Sequence, residues 1–189
     1  LIEEAIGIAK ASDVAVLVVG LSGFNEREGQ DRTSAALPAE QVQLIKSVSA
    51  VNPKTVVVLI AGSYIEIGNW YDNISALLFS PYAGEKIGQA IAEVLWGAQN
   101  PSGKLSFTYP HAASDYPEGS IFTGGPYSRD KQSNVYLEGI FVGYRYFDRH
   151  NKEVLFPFGY GLSYMQFKYS NLKLTDDMAT LNITNTGKV

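Results

Sequence analysis

Five charged side chains crowd into the stretch from Gly20 to Arg32, which reads Gly-Leu-Ser-Gly-Phe-Asn-Glu-Arg-Glu-Gly-Gln-Asp-Arg. Glu26 and Glu28 are carboxyl groups of the kind that give and take protons, and Asp31 and Arg32 could pair to fix the loop that holds them. The stretch follows Val14 to Val19, the most apolar run in the first third of the chain. In an open α/β sheet, ligands and chemistry gather on the loops leaving the carboxyl ends of the strands. Glu26, Glu28, Asp31 and Arg32 are therefore on the right kind of loop to meet a substrate. A solvated acidic loop would have the same composition, so spacing alone leaves both readings open. Phe24 on the same loop offers a flat aromatic ring. The stretch does not form a complete catalytic constellation.

The elements that must position this loop follow from the hydrophobic pattern. Leu1 to Ala11 puts Ile2, Ala5, Ile6 and Ala9 on one helical face. Val14 to Val19 reads as a parallel strand buried on both faces. Pro38 suits a first helical turn, and Val42, Ile45, Val48 and Ser49 form the stripe of a helix that stops near Asn52-Pro53. Thr55 to Ile60 and Ala76 to Phe79 are two further strands, with exits at Ala61-Gly62-Ser63 and Ser80-Pro81-Tyr82. Glu85 to Trp96 is a helix, with Glu85 placed to cap it and Gly97 to stop it. Alternation of this kind predicts an α/β fold, a largely parallel sheet with helices on both faces and right-handed crossovers. The exits at Gly20, Ala61 and Ser80 should then line one edge, where Ser63, Tyr82 and Glu85 could join the charged loop.

The texture changes after Asn100. Lys104 to Tyr109 is extended, His111 to Asn134 has no periodicity, and Val135 to Asp148 reads as extended and aromatic. Alternation from Met165 onward, through Leu172, Leu174, Leu181 and Ile183, suggests the first strands of a β-sandwich. The expected division is residues 1–164 as an α/β sandwich domain with an irregular aromatic-rich segment at 111–164, and residues 165–189 as the start of a second domain. The chain begins inside a helical pattern and ends in a strand-like one, so it reads as a piece of a larger protein.

Composition narrows the function. A hydrophobic share of 46% with 12% aromatics supports a real core, and the 18% of charged residues is low enough that much of the surface could face another domain. The net charge of -4 and the lack of a basic patch speak against nucleic acid or an anionic membrane as a partner. There is no cysteine, which removes thiol chemistry, and with only His111 and His150 a histidine-rich metal site is not expected. Asn73-Ile74-Ser75 and Asn182-Ile183-Thr184 match the glycosylation acceptor pattern, which matters only for a secreted eukaryotic protein.

Several stretches together resemble glycoside hydrolase family 3. They are Glu26-Arg27-Glu28-Gly29-Gln30-Asp31-Arg32 with Leu37-Pro38 and Gln41, then Asn100-Pro101-Ser102-Gly103-Lys104-Leu105 with Tyr109-Pro110. Tyr136-Leu137-Glu138-Gly139-Ile140 with Gly143-Tyr144-Arg145-Tyr146 follows, and finally Phe158-Gly159-Tyr160-Gly161-Leu162-Ser163-Tyr164. The resemblance implies a TIM-type barrel, then an α/β sandwich domain, then often a fibronectin type III-like domain. This chain would be most of the sandwich and the start of the third domain.

The resemblance also implies chemistry. Retaining hydrolysis needs two carboxyl groups about 5 Å apart across the anomeric carbon. In the family the nucleophile is an aspartate on the barrel, and the acid/base is a glutamate on a loop of the sandwich domain. Glu28, directly before Gly29 and four residues before Arg32, matches the acid/base position in many members, while Glu26 matches some plant members better. Glu28 is the first choice and Glu26 the second. The other glutamate would pair with Arg27 or Arg32 or contact sugar hydroxyls, so Phe24, Glu26 and Arg32 are the candidate substrate contacts. An arginine beside the acid would work against its protonated form unless that arginine is turned onto another acid. The implied activity is an exo-acting β-glucosidase that acts on β-linked oligosaccharides or aryl glucosides, with no cofactor. A β-xylosidase of the same family, or a non-catalytic carbohydrate-binding module, are the alternatives. A flavodoxin-like nucleotide-binding domain fits less well, because the loop lacks a Gly-rich phosphate cradle.

Overall fold

The computed structural model describes residues 1–29, 32–117 and 138–187 of the chain. Its centre is a three-stranded parallel sheet of β1 (Ala15–Gly20), β2 (Thr55–Ile60) and β3 (Ala76–Ser80), in that order across the sheet. Gly20 is in register with Ile60, and Ile60 with Ser80, so all three strands end at the same level. The chain alternates through the helices α1 (Ile2–Lys10), α2 (Ala39–Ser49) and α3 (Ile87–Leu95).

The central strand is the most buried. Thr55, Val57, Val58 and Leu59 are fully enclosed, as a near-continuous apolar run in a parallel sheet should be. Leu17 and Val19 of β1 share a face with Val57 and Leu59, and Ile45 of α2 packs into the same core with Leu37, Ile65, Ile67 and Trp70. The expectation that β1 is buried on both faces does not hold. Val14, Val16 and Val18, which point the other way, are exposed by 48%, 42% and 63%. Among the described residues β1 is an edge strand covered on one side only.

Asn52 ties the first helix to the sheet. It is buried, and its amide nitrogen donates to the carbonyls of Ala9 and Ser12, both at 2.9 Å, while its oxygen accepts from the Lys54 N–H at 2.9 Å. These bonds hold the chain leaving α1 against the loop that leads into β2.

Further expectations need correction. Glu85 does not cap α3: Gly84 turns at φ +75°, Lys86 takes the cap position and no side chain bonds the helix start. The aromatic stretch read as extended up to Asp148 instead contains a helix, α4 (Tyr144–Arg149). Gly143, at φ +57°, breaks the chain into it, and helical neighbours then stack, with Tyr146 4.4 Å from His150 and Phe147 buried. These contacts at helical spacing outweigh the aromatic preference for strands. Of the irregular segment, residues 118–137 lie outside the described residues. Lys104 to Tyr109, expected to be extended, forms no strand and bends at Ser106 and Phe107, but it is tied to the Phe156–Tyr160 region, with Leu105 N–H donating to Tyr160 O, Gly159 N–H to Leu105 O, and Tyr109 bridging Phe156.

The last elements form an antiparallel hairpin of β4 (Phe167–Leu174) and β5 (Ala179–Asn185). The register slips by one residue between Ser170 and Lys173, at Asn171 with φ +55°. This bulge resets the alternation, so that Leu172 and Leu174 fall on the same face as Phe167, Tyr169, Leu181 and Ile183.

Replacing Asn52 by Ala should lower the melting temperature of the protein by about 5 °C, because it removes the buried hydrogen bonds to the Ala9 and Ser12 carbonyls and the Lys54 N–H at a cost of about 2 kcal/mol. A thermal-shift comparison checks this, and an unchanged midpoint would remove Asn52 from the scaffold.

Candidate active site

The charged loop begins where β1 ends. Gly20 sits so close to β2 that a Cβ there would lie 2.0 Å from the Ile60 carbonyl oxygen, so the strand end requires glycine. Gln41 of α2 brackets the same residue: its amide oxygen accepts from the Gly20 N–H at 2.8 Å, and its amide nitrogen donates to the Gly20 carbonyl at 2.9 Å. A tight turn follows. The N–H groups of Asn25 and Glu26 donate to the Ser22 carbonyl at 2.8 and 2.9 Å, and the Ser22 hydroxyl donates to Asn25 Oδ1 at 3.0 Å. Phe24 stands at the apex of this turn and is 92% exposed.

Glu26 then turns back onto the sheet edge. Its Oε2 accepts from the Tyr82 hydroxyl at 2.7 Å and from the Gly62 N–H at 3.3 Å. Its Oε1 accepts from the Ser63 hydroxyl at 3.1 Å and lies 3.6 Å from Arg32 Nε. Arg32 itself donates from one terminal nitrogen to the Ser63 hydroxyl at 2.7 Å and to the Tyr64 carbonyl at 3.0 Å. One carboxylate from the β1 exit thus holds donors from the β2 exit, Gly62 and Ser63, and from the β3 exit, Tyr82.

The approach is close because Gly62 has no side chain. A Cβ there would meet the Tyr82 ring at 2.8 Å and Glu26 Oε2 at 3.3 Å. Partial burial works to raise the Glu26 pKa, but the hydrogen bonds from Tyr82, Ser63 and Gly62 and the Arg32 charge outweigh it, so the carboxyl is held below its ordinary value. Beneath Arg32 lie Tyr64, Tyr109 and Tyr116. The Tyr64 ring is 4.9 Å from Tyr109 and 5.3 Å from Tyr116, and the Tyr109 hydroxyl donates to the Ile65 carbonyl. Burial pushes all three phenols up, Tyr116 to about 12, so they remain neutral donors. An open pocket of about 370 Å³ adjoins this cluster, lined by Ser63, Phe79, Pro81, Ser106, Phe107 and Tyr116 among others.

Glu26 and Arg32 are therefore the two feet of the loop, and Arg27, Glu28 and Gly29 lie between them. Glu28 is exposed, and Gly29 turns at φ +75° directly after it. Asp31, expected to pair with Arg32, lies outside the described residues. Of the three residues assigned to sugar contact, Phe24 faces solvent, while Glu26 and Arg32 direct polar atoms to the protein. Ser63 and Tyr82 join the cluster, whereas Glu85 is exposed and does not. Sequence reasoning missed Gly62, the Tyr64 carbonyl and the role of Gln41 as a clasp. The first had a signal, a glycine leaving a buried strand; a backbone carbonyl leaves none.

The model for the glycosyl hydrolase family 3 C-terminal domain matches residues 1–144. The chain belongs to glycoside hydrolase family 3. It is 41% identical to the thermostable beta-glucosidase B of Acetivibrio thermocellus, an alignment covering all of this chain and 25% of that protein. It is 40% identical to the exo-alpha-(1->6)-L-arabinopyranosidase of Bifidobacterium breve, covering 98% of this chain and 25% of that one. Among solved structures, the beta-glucosidase from Kluyveromyces marxianus in complex with glucose superposes with a TM-score of 0.87 at 38% identity, over 99% of this chain and 22% of that one. The family 3 chain thus spans about a quarter of the length of the relatives it matches.

Replacing Glu26 by Gln should destabilise the protein by about 1–2 kcal/mol near neutral pH, the worth of charge-assisted hydrogen bonds discounted for partial exposure. Because the folded-state pKa is depressed, this contribution is complete above the ordinary value of 4.5 and is lost as pH falls through the lower folded value. The gap in melting temperature between wild type and variant should therefore shrink below pH 4.5; a gap that widens there would contradict the assignment.

Proposed function

We propose that this chain supplies the general acid/base of a retaining, exo-acting β-glucosidase, with Glu28 in that role and the aspartate nucleophile on a TIM-type barrel outside residues 1–189. The observation that carries the reading is the division between the two glutamates. Glu26 is committed to Tyr82, Ser63, Gly62 and Arg32, whereas Glu28, between those two anchored residues in sequence, is exposed. Relatives named as beta-glucosidases support the activity, and a relative named as an arabinopyranosidase fits sugar choice that resides largely in the barrel.

In the first step the barrel aspartate bonds to the anomeric carbon as the glycosidic C–O bond breaks, and Glu28 gives its proton to the departing oxygen. In the second, Glu28 takes a proton from water as water attacks the glycosyl-enzyme and releases the aspartate. The substrate is a β-linked oligosaccharide or aryl glucoside. In the same reading residues 1–164 form the α/β sandwich domain, and the hairpin within 165–189 opens a fibronectin type III-like domain.

Two outcomes test this. Purified residues 1–189 should not turn over an aryl β-glucoside, since one of the two carboxyl groups is elsewhere; measurable turnover would refute the half-site reading. In the intact enzyme, Glu28→Gln should lose about a hundredfold or more in kcat on a disaccharide, the scale of a lost general acid. On an aryl glucoside with a low-pKa leaving group, the variant should form the glycosyl-enzyme readily and stall, and azide should restore turnover and yield the β-glucosyl azide. Rescue in Glu26→Gln instead would exchange the two roles.

A further inference from the structure

Within the assignment of Glu28 as acid/base, we propose that Glu26 is its positioning residue: it turns the Arg32 guanidinium away from the loop tip and, through Tyr82 and Ser63, clamps the loop to the exits of β2 and β3. The sequence of the loop carries a conflict. A general acid works only while it keeps its proton, and a cation nearby favours the ionised carboxylate. Arg32 lies four residues from Glu28, and Arg27 directly precedes it.

The structure deals with Arg32 by geometry. Its Nε faces Glu26 Oε1 at 3.6 Å, and a terminal nitrogen donates to Ser63 and to the Tyr64 carbonyl, both on the β2 exit. The Arg32 side chain is only 8% exposed and that of Glu26 23%, whereas Glu28 is exposed. Among the described residues, the titratable groups shown to act on the pair are Tyr82 from the β3 exit, which donates to Glu26, and Tyr109, which feels the Arg32 charge. Tyr82 and Tyr109 are neutral, and among the described residues Glu26 is an anion set directly against Arg32.

The same contacts fix position. Loop residues alone would leave the tip free to move, and a misplacement of about 1 Å can cost about a hundredfold in rate. Bonds from Glu26 to two other strand exits make the loop part of the sheet edge. Tyr82 supplies the shortest of them, at 2.7 Å, and its ring lies against the bare Gly62 backbone.

The test compares pH–rate profiles of the intact enzyme and three variants on a disaccharide. Glu26→Gln removes one negative charge two residues from Glu28, so the basic limb of kcat/KM should move to lower pH by about half a unit, the scale of one nearby unit charge in a mostly aqueous setting. Its kcat should fall about tenfold with KM changed less than twofold, and azide should not rescue it. Tyr82→Phe keeps the charge and the ring and removes one hydrogen bond. It should fold as the wild type does and leave the limb in place while kcat drops several-fold. Glu28→Gln, run alongside, should abolish the basic limb. If Glu28→Gln abolishes the limb while Glu26→Gln leaves it unmoved, or Tyr82→Phe leaves kcat unchanged, the positioning role is wrong and the assignment of Glu28 stands. If Glu28→Gln keeps the limb, the assignment of Glu28 fails and this inference goes with it.

Discussion

The candidate site depends on one carboxylate that accepts from three directions. Glu26 leaves β1 and is bonded by Gly62 and Ser63 from β2 and Tyr82 from β3. A neutral side chain at that position could not hold the same set. Three donors and the Arg32 cation converge on two oxygens, and an acceptor-only, ionised group satisfies all of them without a proton of its own. Burial acts against the charge, and the donors outweigh it. The loop is therefore held by an interaction that needs all three strands to end together.

That requirement passes down to the sheet. A slip of one residue between parallel strands would displace an exit by about 3.3 Å and break bonds of 2.7 to 3.3 Å. The register that sets Gly20, Ile60 and Ser80 side by side is fixed by the enclosed core of Val57, Val58 and Leu59, where a slip would turn apolar side chains to the wrong face. Two glycines allow the final approach: Gly20 lets β1 lie against the Ile60 carbonyl, and Gly62 lets the Tyr82 ring reach Glu26. The core thus controls the site through register, and the glycines through clearance.

Much of this was legible in the sequence because it follows from periodicity. The helical stripes at Ile2–Ala9 and Val42–Val48 and the apolar runs of the strands give the alternating fold and the level exits. Departures arose where contacts between distant residues decide. The exposure of Val16 and Val18 depends on what stands beside β1, which local composition does not encode. Helix α4 hides in an aromatic stretch because its start rests on the backbone angle of Gly143 and its packing on Phe147. Within the site, the sequence placed Glu26, Ser63, Tyr82 and Arg32 on one sheet edge. It could not say which of them bond, since that is set by side-chain reach across three separate loops.

Two glutamates two residues apart, of the same intrinsic acidity, have been given unlike surroundings. A carboxyl that must stay ionised needs donors and a cation, and Glu26 has both. A carboxyl that must hold a proton needs their absence and an enclosing, less polar wall. The chain can provide the first environment alone, because the donors come from its own strand exits. It leaves Glu28 exposed at the tip, so in the half-site reading the second environment is assembled only when another surface closes over the loop. The strand exits would then supply the rigid face and the opposing domain the enclosure, and the acid would work only where the two meet.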